Sequence, residues 1–159
     1  MTEIAIETRG VSQVVEHFER FGRDVHQRLA AAVAAEGIEL VRAVQEDKLS
    51  GQMVGQVTRR LRDSIHLEMA ETETSVTGTV GTNVSYARFV HDGTAPHVIE
   101  AKSAPALHFF MGGAEVFARR VNHPGTKPRP FLTSTLAERE AQIRARLAAA
   151  VAGDAGAAP

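Results

Sequence analysis

Apolar residues recur every three or four positions from residue 12 to 48, and no other feature limits the fold of this chain so tightly. Val14, Phe18, Phe21, Val25, Leu29 and Val33 form one stripe, and Leu40, Val41 and Val44 continue it. That spacing is the period of an α-helix with one apolar face. Glu16, Glu19, Arg20, Arg23, Asp24, Arg28, Glu39 and Arg42 lie off the stripe. Ser12 suits the N-cap, with Val15 and Glu16 in the first turn. The pattern predicts one helix over about residues 12–48, or two helices broken near Gly22. A single helix of that length exceeds the roughly 10–14 residues usual in globular proteins. It needs support along its length, from a sheet or from a neighbouring subunit.

Elsewhere the period is shorter. Met1 to Arg9 alternates weakly and predicts a short edge strand. Leu49 to Thr58 has two glycines and no period, so it reads as an exposed loop, with the basic cluster Arg59, Arg60 and Arg62 just beyond it. Ser64–Ala70 and Ser75–Val80 alternate on either side of a turn at Glu71–Thr74 and predict a β-hairpin. His97–Lys102 gives another short strand. Ala106–Met111 and Glu115–Val121 flank Gly112-Gly113, a direct hairpin signal. His123–Pro130 (HPGTKPRP) holds three prolines and a glycine, so it is a stiff, extended arm poor in backbone donors. Phe131–Val151 returns to helical spacing, and an Ala/Gly/Pro tail follows from Gly153. This order predicts an α+β fold, with a long N-terminal helix and a C-terminal helix packed on an antiparallel β-sheet. Residues 1–152 form a single domain in this reading, and 153–159 a disordered tail.

With 159 residues and 43% hydrophobic content the chain can bury one core. It has no cysteine, which excludes disulfides and thiolate metal sites. No basic segment followed by an apolar run opens the chain, so no secretory signal is expected, and no stretch approaches the roughly 20 apolar residues of a membrane span. Net charge is only −1, but residues 1–100 carry 10 Lys/Arg against 15 Asp/Glu, while residues 101–146 carry 8 against 3. Such a split either suits head-to-tail contact between copies or is an ordinary polar surface.

The stretch Val80–Thr94 (VGTNVSYARFVHDGT) holds the only tyrosine. A strand ends at Val80, Gly81 to Asn83 turn the chain, and Tyr86, Phe89 and Val90 share one face of a helical turn that Asp92-Gly93 ends. Tyr86, Phe89 and Phe131 are expected to anchor packing. The stretch has no nucleophile beside a base, no phosphate-cradling loop and no paired metal ligands. Five of the seven histidines are His66, His91, His97, His108 and His123, none at the helical spacing of a zinc motif. A metal-dependent hydrolase using His91, Asp92, His97 and His123 is the enzymatic alternative, but scattered histidines are the better reading, with no catalytic, cofactor or metal residue expected. The basic residues Arg119, Arg120, Lys127 and Arg129 have no acidic residue among them between Val116 and Leu132. They would face either nucleic-acid phosphates, as a DNA-binding module, or an acidic patch on another protein; the lack of interleaved aromatics favours the protein. Glu46, Asp47 and Lys48 read as a solvated helix end.

The residues together resemble the tail-completion (neck) proteins of long-tailed bacteriophages, a minor-tail family. LSG at Leu49–Gly51 precedes VTRRLRDSI at Val57–Ile65, where the family has Thr-Gly-x-Leu-Arg-x-Ser-Ile. VGTNVSYARFVHDGT follows, similar to a Val-Gly-Thr-Asn-x-x-Tyr-Ala core closed by Gly-Thr. PHVIEAKSAPALHF at Pro96–Phe109 and HPGTKPRPFL at His123–Leu132 complete the order. Each motif alone is weak; four in sequence, over roughly residues 10 to 150, are fairly specific. Arg59 stands where the pattern usually has glycine, and His91-Asp92 where an acidic or aromatic pair is common. The resemblance implies a structural virion protein without catalysis. It implies oligomeric rings at the head–tail junction, between head-closure or connector proteins and tail-terminator or tail-tube proteins, with DNA in the channel as a second contact for the basic residues. The expected contact regions are the Leu49–Arg62 loop (Leu49, Gly51, Arg59, Arg60, Arg62), the Tyr86–Thr94 turn (Tyr86, His91, Asp92), and the His108–Arg129 hairpin and arm (Arg119, Arg120, His123, Lys127, Arg129).

Overall fold

The computed structural model describes residues 11–50 and 59–153. The edge strand expected at Met1–Arg9, most of the Leu49–Thr58 loop with Gly51, and residues 154–159 of the expected tail lie outside the described residues. The rest is a mixed α+β fold. The apolar stripe forms a helix, α1 (Val11–Ala43), with no break at Gly22. It runs straight into a π-turn at Val44–Lys48, closed by the Leu49 N–H donating to Val44 O at 3.0 Å. Ser12 lies inside α1 and does not cap it. A short helix α2 (Arg59–Asp63) leads to a hairpin, β1 (Ile65–Glu71) and β2 (Val76–Thr82), in continuous antiparallel register from Ile65↔Thr82 to Glu71↔Val76. The ladder reaches Thr82, so the turn begins at Asn83. Thr82 Oγ1 there accepts the Val84 N–H at 3.2 Å.

Helix α3 (Ala87–His91) follows, then β3 (His97–Glu100), β4 (Leu107–Met111), β5 (Ala114–Ala118), β6 (Arg120–His123) and α4 (Phe131–Ala152). Gly112 and Gly113 both have positive φ, 61° and 85°, as a two-residue primed turn demands. The single strand expected at Glu115–Val121 divides at Arg119. β5 pairs with β4, and β6 pairs with β3. The Ala101 N–H donates to Arg119 O at 3.0 Å where the chain changes partner. The described strands therefore make three two-stranded antiparallel ladders, not one sheet.

The core is compact and sits where elements meet end-on. Val44 of the π-turn, Leu49, Leu61 of α2, Ile65 at the start of β1, Ala87 of α3 and Phe131 at the start of α4 are all buried together. Phe131 is 1% exposed and the largest of them. Thr135, one turn on, is buried too, its hydroxyl donating to Phe131 O at 2.7 Å. Polar contacts also strap α4 to the π-turn and to α1. Lys48 Nζ meets Glu138 Oε1 at 2.6 Å, Arg139 reaches Asp47 at 3.6 Å, and Arg146 reaches Glu36 at 2.8 Å. The helix end read as solvated is in fact strapped to α4. The Arg146 guanidinium is held above its ordinary value, first by its hydrogen bond to Glu36.

Two glycines set how closely α1 lies on the hairpin. A Cβ at Gly37 would meet the Leu67 side chain at 2.6 Å, and one at Gly78 the Val33 methyl at 2.9 Å. An apolar groove of about 440 Å³ remains between α1, β2 and α4, lined by Leu40, Val80, Leu132, Leu136 and Ile143 among others.

Phe131→Ala should lower unfolding stability by about 3–5 kcal/mol, the range for truncating a buried aromatic, read by chemical denaturation. His66 offers a pH test. Its imidazole is raised above the ordinary 6.5, first by its hydrogen bond to Ser64 O and then by Glu68. A raised folded value stabilises fully below the unfolded pKa and is lost as pH rises through the folded one. An NMR titration should place the His66 midpoint above 6.5, and Glu68→Gln should bring it back down.

Candidate assembly interface

Of the first expected contact region, residues 49–50 and 59–62 are described. Leu49 is 2% exposed and belongs to the core, so it offers no surface to a partner. Leu61 turns inward from α2, while Arg59, Arg60 and Arg62 are exposed around it. The turn before the β1 strand, where Arg59 replaces the usual glycine, is this helical turn, and Arg59 is its first residue. Gln45 ties it down, donating from Nε2 to Arg62 O at 3.1 Å and Ile65 O at 3.3 Å. Ser64 donates to Leu61 O at 2.7 Å and meets the Thr82 hydroxyl at 2.6 Å.

The second and third regions are stitched to each other. Thr94 and Thr126 exchange N–H···O hydrogen bonds, each 3.1 Å, and their hydroxyls meet at 3.2 Å. Gly93 (φ 72°) and Gly125 (φ 85°) flank this bridge. A Cβ on Gly93 would run into Thr126 O and Pro128, and one on Gly125 into Thr94 O. Both a left-handed backbone and close approach therefore require glycine here. The Arg129 N–H donates to His91 O at 3.0 Å and Val90 O at 3.1 Å, pinning the proline arm to the end of α3. The arm, read from the sequence as stiff and extended, is held as a fixed wall.

That wall and α3 enclose an open cleft of about 580 Å³, lined by Tyr86, Phe89, Val90, Thr94, His97, His123, Thr126, Lys127 and Arg129. Tyr86, His123, Lys127 and Arg129, expected as contacts on sequence grounds, are thus brought to one place. His97 and His123 face each other in the β3–β6 register with ring centroids 5.0 Å apart. Each ring is held by its own turn. His97 Nδ1–H donates to Ala95 O at 2.9 Å, and His123 Nδ1 accepts the Gly125 N–H at 3.1 Å. Lys127 and Arg129 beside two imidazoles and an aromatic wall suit an acidic side chain or another anionic group.

The remaining expected residues lie elsewhere. His91 turns away from the cleft: its Nδ1 meets Asp92 at 2.7 Å, its Nε2 lies 3.4 Å from Thr133 Oγ1, and its ring stands edge-on to Phe131 at 5.3 Å. His91, His97 and His123 therefore do not converge, and among the described residues no three His, Asp or Glu side chains are placed to share a metal ion. Arg120 pairs with Glu100 across β3–β6 at 3.7 Å, and Arg119 is exposed where β5 gives way to β6. The four basic residues thus divide between cleft and outer edge. Phe89, expected as a packing anchor, is 46% exposed with the Arg88 guanidinium 4.6 Å over its ring. Tyr86 and Phe131 do pack at the core.

Sequence reasoning missed one exposed apolar surface, the tip of the β4–β5 hairpin, with Phe110, Met111 and Phe117; His108 stacks on Phe117 at 4.6 Å and pairs with Glu115 at 2.7 Å. The start of α1 is a second exposed apolar surface, on the helix whose length already called for support from a sheet or a neighbouring subunit.

A small core with polar straps, exposed apolar elements and a cationic cleft describe a protein built for contact with other proteins. The sequence model of the family described as "Bacteriophage HK97-gp10, putative tail-component" matches residues 11–93, from α1 to the glycine of the Thr94–Thr126 bridge. The chain belongs to this family of phage tail components. Searches of curated proteins and of solved structures returned no match. No described helix is long and apolar enough to cross a membrane.

Gly93→Ala should cost at least about 1–2 kcal/mol from the left-handed backbone alone. It should also raise hydrogen-exchange rates over residues 123–130 before it affects those of α1.

Proposed function

We propose that this protein is a structural component of a long-tailed phage or prophage particle, completing the neck at the head–tail junction by assembling with itself and its neighbours. It acts without catalysis. The family match over α1, the hairpin and α3 carries this reading. The ring arrangement, head-closure and tail-tube partners, and transient host-cytoplasmic residence before incorporation are part of the same proposal. The exposed Arg59, Arg60 and Arg62, the cleft with Tyr86, His123, Lys127 and Arg129, and the outward Arg119 are its contact surfaces. Non-specific contact with channel DNA falls to the same cations.

The test is genetic and structural. Deleting the gene from an inducible prophage should leave filled heads and finished tails that fail to join, and supplying the protein in trans should restore infectious particles. The protein should then be found in purified virions. Infectious particles formed without it would overturn the reading. Within such a system Lys127→Glu together with Arg129→Glu should cut the yield of joined particles by about tenfold or more, as loss of charge pairs at an interface does.

A further inference from the structure

Both supports of α1 end at the same level. His26 reaches Glu71, at the tip of the β1–β2 hairpin, at 3.8 Å. Arg28 lies against Gly153, at the end of α4. Beyond them α1 continues from Val25 back to Val11, about 22 Å of helix at 1.5 Å per residue. Val14 is 54% exposed there, Phe18 68% and Phe21 54%. The stripe that packs on the hairpin and α4 through Val33 and Leu40 simply runs on past them.

The spacing of this overhang is specific. Val14, Phe18, Phe21 and Val25 are separated by four, three and four residues, the seam of a two-stranded coiled coil. The stretch is also self-complementary when reversed. With Phe18 set against Phe21 of a second, antiparallel copy, Val14 falls against Val25 and His17 against Asp24, twice each by symmetry. Val15 falls against Gly22, where a Cβ would meet nothing within 4 Å, so the helices have room to close. This also accounts for a glycine inside a helix that does not bend there, since it costs about 1 kcal/mol against alanine.

We infer that the first four turns of α1 form a two-fold antiparallel coiled-coil contact with the same segment of a second copy, Phe18 on Phe21 at its centre and His17 facing Asp24 at its edges. The match of an imidazole, a hydrogen-bond donor, with a carboxylate on both edges selects a second copy over an unrelated apolar partner. The contact deepens the assembly reading above and rests on it for its role. A two-fold pair does not close a ring by itself; it joins copies in dimers or stacks one ring on another.

The experiment is sedimentation equilibrium of the full chain over a concentration series. Wild type should dimerise. Phe18→Lys should weaken the dimer by about 100-fold or more, as loss of a central aromatic anchor does, with the circular dichroism unchanged because Phe18 touches no core residue. Asp24→Lys should weaken it too, and adding His17→Glu to Asp24→Lys should restore it, which a merely misfolded variant would not do. The chain has no cysteine, so direction can be read by cross-linking. Val14→Cys protein mixed with Val25→Cys protein should oxidise to the mixed dimer, and Val14→Cys alone should not. A monomer throughout, a dimer indifferent to Phe18→Lys, or self-cross-linking of Val14→Cys would overturn the inference. Each would leave the gene-deletion result standing, so the pairing and the virion role fail separately.

Discussion

Burial of Phe131 is the interaction on which the rest depends. Its ring joins a cluster with Val44, Leu49, Leu61, Ile65 and Ala87, residues that come from four segments: the capped π-turn, α2, β1 and α3. None of those segments could bury its apolar side alone: α2 and α3 are five residues each, and the β1–β2 hairpin has few inward side chains. A hairpin or a one-turn helix is not stable by itself in water. Each is held because one end of it contributes to a common apolar cluster, and the cluster closes only when α4 delivers Phe131. The proline arm has the same task. By fixing Arg129 to the end of α3 it sets the point from which α4 must start.

The cluster is at one end of the long elements, and ion pairs add to what holds them. Lys48–Glu138 and Arg139–Asp47 hold α4 to the π-turn and Arg146–Glu36 holds it to α1, each pair with at least one exposed partner, and pairs open to solvent are individually worth about 1 kcal/mol or less. The glycine contacts at Gly37 and Gly78 bring α1 close to the hairpin without adding buried area of their own. The described fold is consequently firm at the junction and lightly held at its extremities. The surfaces left open are apolar on α1 and on the β4–β5 hairpin, and cationic in the cleft.

The sequence carried the element types well. Helical periodicity located α1 and α4, and alternation with turn residues located the β1–β2 and β4–β5 hairpins, because these signals are local. What it did not carry was partnership. The split at Arg119 arises because β6 leaves β4 for β3, a choice made by distant residues and invisible in the alternation of Glu115–Val121. Leu49 looked like a loop residue because its burial depends on Leu61 and Phe131, 12 and 82 positions away. Four of the expected contacts, Tyr86, His123, Lys127 and Arg129, do meet in the cleft, yet nothing in their spacing says so; the Thr94–Thr126 bridge brings them together. Phe89 failed as an anchor for a simpler reason. A helical turn has one inward face, and Ala87 and Tyr86 already fill it.

The boundary of the family match bears on how the molecule divides its labour. The matched residues end at Gly93, so they include every member of the core cluster except Phe131. The part that matches therefore cannot complete its own core. It must receive one aromatic side chain from the part that does not, through an arm whose approach is set by Gly93 on one side and Gly125 on the other. Between that bridge and Phe131 the chain holds Lys127 and Arg129, and before it lie the exposed hairpin and Arg119. The second half thus both closes the fold and supplies Lys127 and Arg129 to the cleft. A substitution in the arm therefore reaches the core through Phe131, whereas Val14, Phe18 and Phe21 on the overhang of α1 are exposed and stand outside the core cluster.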